Sequence, residues 1–140
     1  MSTLLDLVDA HYHGLEYGDA ELALSPFSSD VKAEFPNGPI NGIGDLRSIV
    51  HAFITAFPGM TIIRWNTWQA DDTVMVEVMF RGTRTGPMAT LNGSLPASGG
   101  EVTFALVDTF TAHRNEVVEH RVYRDNLTFL TQPGLMEESA

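Results

Sequence analysis

The stretch MTIIRWNTWQADDTVMVEVMFRG, residues 60–82, decides the fold class of this chain. Apolar and polar side chains alternate before and after residues 70–72, a pattern that is typical of two strands joined by a tight turn. A second pair of alternating segments follows, EVTFALVDTFTA at 101–112 and EVVEHRVYRDN at 116–126. The second half of the chain therefore predicts a sheet built from antiparallel hairpins.

Helical periodicity precedes these strands. Apolar positions at helical spacing predict a first helix that ends near Gly18, and Asp19 is suited to cap a short second helix. Asp45 is predicted to cap a third helix, which Pro58 ends. The apolar faces of the first and third helices are formed by Leu4, Val8, His11, Leu15, Leu46, Ile49, Val50, Phe53 and Phe57. We also expect a short strand and a turn-rich loop at 30–45, and a long connection at 82–100.

Helices followed by antiparallel strands predict an α+β fold. We expect one domain over residues 1–140, with a frayed tail at about 133–140. In this domain a cone-shaped, curved antiparallel sheet wraps around three N-terminal helices. Such a half-open cone leaves a cavity between its concave face and the helices, which suits a small-molecule ligand.

The composition limits the classes of partner. The formal net charge of the 140-residue chain is -10, which argues against nucleic acid or an anionic membrane as the main partner. No apolar run approaches the length of a transmembrane helix, and the amino terminus, with Asp6 and Asp9, lacks the cationic start of a signal peptide. The chain has no cysteine, which fits a cytoplasmic protein.

The last predicted strand combines polar and apolar side chains. Because side chains alternate across a strand, Arg121, Tyr123 and Asp125 share one face with Glu119. This set is too polar for a closed core, so we expect it to form the floor of the cavity, with the opposite face packed against another subunit. Asp125 would then exchange protons with a substrate. The alternative is that Asp125 only caps the turn at Asn126.

Asp108 is the second candidate among the carboxylates and is predicted to be a substrate contact in the polar lining of the cavity. It interrupts an apolar row on its strand, so it either pairs with an arginine on a neighbouring strand or faces the cavity. His11 lies on the apolar face of the first helix and is either a core residue or a substrate contact, and Arg84 is a further predicted substrate contact. Trp65 and Trp68 have opposite parity, so that one lines the cavity unless both are core or interface residues.

Three stretches of the second half resemble one known family. FRGTRTGPM at 80–88, LPASGGEVTFALVDTF at 95–110 and VVEHRVYRDNLTFLTQPG at 117–134 are similar to segments of the SnoaL-like polyketide cyclases. The order of elements, with YGDAE after the first helix and PNGPINGIGDL before the third, resembles the wider nuclear transport factor two-like superfamily. The resemblance implies the cone-shaped α+β barrel, a homodimer, a pocket for a hydrophobic small molecule, and no metal or other cofactor.

The same resemblance implies a role for one residue. In this family an aspartate on the last strand is the acid/base, and that position matches Asp125. The expected activity is a cofactor-free cyclase or isomerase that acts on a hydrophobic, polyketide-like carbonyl compound. Arg84 stands where the family usually has histidine, Arg121 where an aromatic residue is common, and Pro133 where leucine is common. The first alternative is a non-catalytic small-molecule-binding domain of the same fold.

Two other enzyme types of the superfamily offer comparisons. His11 stands where ketosteroid isomerases keep a tyrosine, but Phe35 stands where their catalytic aspartate would be, which argues against steroid isomerisation. Asp125 and Asp108 with an arginine between them resemble the site of limonene epoxide hydrolases, which activate water. Leu106 replaces the arginine of their Arg-x-Asp motif, so water-mediated epoxide opening is the weaker enzyme alternative.

Overall fold

The computed structural model describes residues 3–36, 38–85, 88–90, 93–95 and 99–124. In that part of the chain the helices are α1 (Leu4–Tyr17), α2 (Ala20–Leu24) and α3 (Ile43–Ala56). The strands are β1 (Phe27–Phe35), β2 (Gly38–Asn41), β3 (Thr61–Ala70), β4 (Thr73–Thr83), β5 (Met88–Thr90), β6 (Gly93–Leu95), β7 (Glu101–His113) and β8 (Glu116–Tyr123). The architecture is α+β, as predicted, and none of the described helices combines the length and apolarity needed to cross a membrane.

Capping side chains fix the ends of the first two helices. Thr3 and Asp6 form a capping box at the start of α1, and Gly18 ends that helix with φ 73°. Asp19 accepts a hydrogen bond from the Leu22 backbone nitrogen at 3.1 Å and caps α2, as predicted. The cap predicted for α3 is wrong by three residues, nearly one helical turn. Gly42 is its N-cap residue, and Asp45 lies inside the first turn.

A curved sheet of six strands has the order β2-β1-β8-β7-β4-β3. The pairs β3–β4 and β7–β8 are the two predicted hairpins, with positive φ at Asp71, Arg114 and Asn115 in their turns. One pair departs from the expected antiparallel pattern, because β1 and β8 run parallel. Strand β2 lies in the predicted loop at 30–45, and the β5–β6 pair lies in the predicted connection at 82–100.

An irregularity in β3 changes which of its side chains face inward. Arg64 is opposite Val78 and Asn66 is opposite Glu77, so Trp65 is an extra residue in its strand. Such a β-bulge breaks the strict alternation on which sequence parity depends. As a result both Trp65 and Trp68 are about half exposed, at 51% and 49%, and neither is part of the buried core.

The core lies between the concave face of the sheet and the helices. Alternate residues of β4 are fully buried and pack with the apolar faces of α1 and α3; the β4 residues are Val74, Val76, Val78 and Phe80. Helices α1 and α2 approach each other closely at Gly14, where a Cβ atom would lie 2.2 Å from the Ala23 backbone nitrogen. Only glycine permits this approach of α1 to α2.

Candidate functional site

Asp108 lies in the middle of the concave face of the sheet. It occupies β7 opposite Val76 of β4 and Val122 of β8, and only 4% of its surface is exposed. Phe104 and Phe110, which share its face of β7, are buried as well. The sequence predicts that this carboxyl group either pairs with an arginine on a neighbouring strand or lies on a face that lines the cavity.

The partner within hydrogen-bond distance is a tyrosine on the first helix. The Tyr12 hydroxyl donates a hydrogen bond of 2.6 Å to Oδ2 of Asp108. Tyr12 follows Val8 by four residues and precedes Leu15 by three, so α1 directs all three side chains toward the sheet. The phenol ring is 2% exposed. The two side chains therefore form a buried acid pair, called the Tyr12–Asp108 pair below.

Burial shifts the pKa of both members of the Tyr12–Asp108 pair upward. Desolvation raises the pKa of Asp108 to about 7, while the Tyr12 hydrogen bond and the charge of Arg124 act in the opposite direction. Desolvation and the Asp108 carboxylate together raise the pKa of Tyr12 well above its ordinary value. Both protonation states of Asp108 are therefore populated near neutral pH, which is the condition for a general acid or base.

Arg124 follows β8 and is the cation that acts on Asp108. Its guanidinium lies 5.8 Å from the centre of the Phe104 ring, in a cation–π geometry. Burial lowers the pKa of Arg124 to about 10, and the charge of Asp108 opposes that shift. Even so, Arg124 remains protonated at neutral pH. An arginine thus acts on Asp108, as one of the two sequence-based alternatives expects, but it follows the neighbouring strand β8 and does not lie within it.

His11 lies in a packed aromatic cluster beside the Tyr12–Asp108 pair. Its Nδ1 is 2.9 Å from the Ala23 carbonyl oxygen, and its ring contacts those of Phe27 and Phe110. His120 faces it from β8 at 5.6 Å between ring centres, with its own Nδ1 3.0 Å from the Thr109 carbonyl oxygen. Desolvation lowers the pKa of His11 to about 4 and that of His120 to about 3.

The two faces of β8 are the reverse of those expected. His120 and Val122 are buried against the helices, whereas Arg121 and Tyr123 lie on the exposed face. Arg121 donates a 2.7 Å hydrogen bond to Glu119 there. The physical reason is that His120 and Val122 bury more apolar surface than their polar neighbours would. Arg121 and Tyr123 therefore do not join Asp108 on the concave face.

Arg121 and Tyr123 both line an open cleft at the adjoining ends of β1 and β8. The cleft has a volume of about 290 Å³. Its lining consists of Glu34, Phe35, Pro36, Arg121, Val122, Tyr123 and Arg124. Arg124 thus belongs both to this cleft and to the surroundings of Asp108. Arg124 is therefore the side chain that connects the cleft, with Arg121 and Tyr123, to Asp108 on the concave face.

The remaining predicted site residues have different outcomes. Arg84 is 2% exposed and follows β4; its backbone nitrogen donates to the Gly100 oxygen at 3.0 Å. Its role as a substrate contact stays a prediction. Asp125, the predicted acid/base, lies outside the described residues, so its role stays a prediction as well. Among the described residues, no group of three or more His, Asp or Glu side chains is arranged to hold a metal ion.

Sequence reasoning overlooked Tyr12, Arg124 and His120. The signal for Tyr12 is present in the sequence, because Tyr12 directly follows His11 and occupies the same helix face as Val8 and Leu15. The signal for His120 was its alternation with Val122 on the more apolar face of the last strand. No sequence pattern pairs Tyr12 with Asp108.

Comparisons with known proteins agree with this architecture. The family model described as SnoaL-like polyketide cyclase matches residues 5–133. None of the curated protein sequences compared with the chain matches it.

Solved structures give the same fold at low sequence identity. A protein of Jannaschia sp. CCS1 assigned to the SnoaL-like polyketide cyclases is 22% identical with a TM-score of 0.80, over 95% of this chain and 92% of that one. IdmH of Streptomyces antibioticus, assigned as a polyketide cyclase, is 20% identical with a TM-score of 0.71, over 90% and 94%. A Catenulispora acidiphila protein with a ketosteroid isomerase-like fold is 14% identical with a TM-score of 0.75, over 96% of each.

Proposed function

The chain belongs to the SnoaL-like polyketide cyclase family, and from that premise we propose that it is a cofactor-free cyclase or isomerase. Its substrate would be a hydrophobic, polyketide-like carbonyl compound. The observation that carries the proposal is the buried Asp108 carboxyl group, which accepts a hydrogen bond from Tyr12 and has a pKa of about 7. A carboxyl group of this kind can donate or accept a proton at neutral pH.

Two carboxyl groups would divide the proton transfers. Asp125 takes a proton from a carbon that lies between two carbonyl groups, and an enolate forms. The enolate carbon attacks a second carbonyl carbon of the same molecule, so that a carbon–carbon bond forms and the electron pair moves to the carbonyl oxygen. Asp108 in its protonated form delivers a proton to that oxygen. Proton exchange with water returns both carboxyl groups to their starting states, and the product is an isomer of the substrate.

The other side chains of the site support this division of roles. Tyr12 holds Asp108 in one orientation, because its hydroxyl donates a hydrogen bond of 2.6 Å to Oδ2. Arg124 precedes Asp125 directly in the sequence and keeps a positive charge near Asp108, which stabilises an oxygen that gains negative charge. Phe104 lies beside Arg124 in a cation–π geometry, which helps to hold the guanidinium in place.

The first step can be tested without knowledge of the natural substrate. Aryl 1,3-dicarbonyl compounds are incubated with the protein in D2O, and loss of the acidic C–H signal is followed by proton NMR. We expect Asp125→Asn to slow enzyme-dependent exchange about 100-fold or more, which is the usual contribution of a general base. Asp108→Asn should slow it less, because Asp108 delivers its proton only in the later step, when the carbon–carbon bond forms.

The matched control for this experiment is Asp45→Asn. Asp45 is exposed in the first turn of α3, so this change removes the same charge outside the site and should leave the exchange rate unchanged. Ligand binding is measured in parallel from NMR shifts of the protein. If Asp125→Asn and Asp108→Asn both exchange as fast as the parent, the proposed chemistry is wrong. If the ligands bind but the parent accelerates nothing, the protein is a binding domain.

One observation favours epoxide opening as a second candidate. Arg124 supplies a cation next to Asp108, although Leu106 replaces the arginine of the Arg-x-Asp motif. A water molecule activated between Asp108 and Asp125 could attack an epoxide carbon while a proton is delivered to the leaving oxygen. Reaction in water labelled with oxygen-18 separates the two candidates. Label in the new hydroxyl group would support epoxide opening, whereas a cyclase product acquires none by this route.

We also propose that two copies of the chain pair through the convex face of the sheet. Large apolar side chains of β3 and β4 are exposed there, which is unusual for a monomer surface. They are Ile63 (44% exposed), Trp65 (51%), Trp68 (49%) and Met75 (39%). Light scattering coupled to size-exclusion chromatography should give a dimer mass for the parent and for Tyr17→Glu on α1. Trp68→Glu should give a monomer; a monomeric parent would contradict the proposal.

A further inference from the structure

We propose that Arg64 is a positioning residue of the acid–base site, acting on Asp108 through Tyr12. This inference deepens the proposed function and rests on it in one respect, namely that Asp108 takes part in proton transfer. Arg64 comes from the edge strand β3, whereas Tyr12 and Asp108 come from α1 and β7. The inference rests on three observations: the bulge in β3, the position of the guanidinium, and the anchor at Asp9.

The β-bulge directs Arg64 toward the helix. Arg64 is opposite Val78, which is buried on the concave face, and the register then shifts before Asn66. Without the extra residue Trp65, the side chains on one side of this shift, either before or after it in β3, would point to the opposite face of the sheet. Bulges are common next to active sites because they re-aim single side chains. Here the residue that immediately precedes the shift is the arginine.

The guanidinium of Arg64 covers the ring of the tyrosine. Its central carbon is 5.4 Å from the centre of the Tyr12 ring, within the range of a cation–π interaction. On its other side Arg64 donates a hydrogen bond to the carboxylate of Asp9, one helical turn before Tyr12 on α1. A second contact ties the same helix to β3, because Glu16 accepts a hydrogen bond of 3.1 Å from the Ile62 backbone nitrogen. The Asp9 contact thus holds the Arg64 guanidinium against the phenol, and the Glu16 contact holds its strand against α1.

The position of Arg64 has a chemical consequence for the proton of the pair. A cation beside the phenol makes its hydroxyl more acidic, and a more acidic hydroxyl is a stronger hydrogen-bond donor to the Asp108 carboxylate. The charge of Arg64 accordingly lowers the pKa of Tyr12 against the larger effect of burial. Removal of that charge should therefore raise the pKa of Asp108. A side chain that served only as a surface ion pair would have no such effect.

Other titratable groups face the same site and set the background for this effect. His11 neighbours Tyr12 on α1, at 5.4 Å between ring centres, and His120 of β8 lies beyond His11. Arg124, after β8, acts on Asp108 directly. The strand β4 presents Val76 to Asp108 and contributes no charge at that position. The pKa values of His11 and His120 are about 4 and about 3, so both rings are mainly neutral above pH 5. A titration between pH 5 and 9 therefore reports mainly on Asp108 and on the effect that its two arginine neighbours have on it.

The test measures the titration of Asp108 without any substrate. The protein is labelled with carbon-13 in the aspartate carboxyl groups, the Asp108 signal is assigned with Asp108→Asn, and its chemical shift is followed from pH 5 to 9. In Arg64→Met we expect the midpoint to move upward by about 0.5 pH unit or more, because a cation near the site is lost. Arg64→Lys keeps the charge but not the planar group, so its midpoint should move roughly half as far.

The matched control is Arg81→Met. Arg81 lies on the neighbouring strand β4 and forms an exposed ion pair with Glu101 at 3.7 Å, so its loss should leave the Asp108 midpoint unchanged. A folded Arg64→Met protein that titrates like the parent overturns the proposal, even if its melting temperature is lower. If the midpoint moves but Asp125→Asn and Asp108→Asn both exchange carbon-bound protons at the parental rate, Arg64 tunes the pair and the proposed function is wrong. If both change, the pH profile of exchange should move with the midpoint.

Discussion

Two buried polar pairs lie side by side on the concave face of the sheet, and the same burial affects them in opposite ways. His11 and His120 have folded-state pKa values of about 4 and about 3, so both rings are neutral near pH 7. Asp108, which Tyr12 holds, has a folded-state pKa of about 7. Desolvation disfavours the charged form in each case, which lowers the pKa of a base and raises that of an acid.

The comparison teaches where proton chemistry can occur in this molecule. The histidines are often the first candidates for such chemistry, yet each uses its Nδ1 on a backbone carbonyl oxygen within an aromatic cluster. Burial has moved their titration away from neutral pH, while it has moved that of Asp108 toward neutral pH. The histidine pair therefore stabilises the core, and the Tyr12–Asp108 pair is suited to chemistry.

The largest expected effect comes from a change that disturbs the histidine side of the comparison. A Cβ atom at Gly14 would lie 2.2 Å from the backbone nitrogen of Ala23, the residue whose carbonyl oxygen contacts His11. Gly14→Ala should therefore force α1 and α2 apart and lower the free energy of unfolding by about 3 kcal/mol or more. Urea unfolding measures the loss, and a change below about 1 kcal/mol would contradict the close helix contact.

The control for that variant is Gly44→Ala. Gly44 is also helical, in the first turn of α3, but nothing lies within 4 Å of the Cβ position there. Its substitution should change the free energy of unfolding by no more than about 0.5 kcal/mol, because alanine fits a helix at least as well as glycine.

The second prediction concerns the pH dependence of stability. The histidines stabilise the fold above their unfolded pKa of 6.5, and this contribution is lost as the pH falls toward their folded values of about 4 and about 3. Asp108 acts in the opposite direction: its contribution is present below the unfolded value of 3.8 and is lost as the pH rises through about 7. From pH 7 to 5 the parent should thus lose only roughly 1 to 2 kcal/mol, the difference of the opposing effects.

Two variants separate these opposing effects. Asp108→Asn removes the compensating group, so its loss between pH 7 and 5 should rise to roughly 4 kcal/mol. His120→Phe keeps an aromatic ring against Phe110 but removes one titrating base, and its stability should be nearly independent of pH in this range. Urea unfolding at both pH values provides the measurement. Equal pH dependence in all three proteins would mean that the two pairs do not titrate as described.

The smallest effect is expected from Tyr12→Phe. Above pH 7 this change leaves a buried carboxylate without its donor, which should cost about 2 kcal/mol of stability. At pH 5, where Asp108 is protonated, the cost should fall to about 1 kcal/mol, since only a neutral hydrogen bond is lost. Tyr17→Phe is the control, because Tyr17 is 74% exposed. A cost that is equal at pH 8 and pH 5 would show that Asp108 does not change its charge between them.

Local patterns in the sequence were sufficient for most of the elements. The helical spacing that ends at Gly18, the cap at Asp19 and the two hairpins are confirmed, because each depends on residues that are neighbours in the chain. Strand β2 (Gly38–Asn41) was overlooked because a Gly-Pro sequence has low strand propensity and is extended here by its pairing with β1. The bulge at Trp65 was overlooked for a similar reason. One extra residue reverses which side chains of β3 face inward, but no residue type in the sequence signals it.

The sequence by itself determined the α+β class, the order of helices and hairpins, and the presence of a costly carboxylate at Asp108. Only the tertiary structure decided what that carboxylate meets, because Tyr12 and Asp108 are 96 residues apart in the chain and come together when α1 packs on β7. It also decided which face of β8 is inside. Short-range periodicity reports how a segment divides its polar and apolar sides, whereas burial and pairing depend on which other segment covers each side.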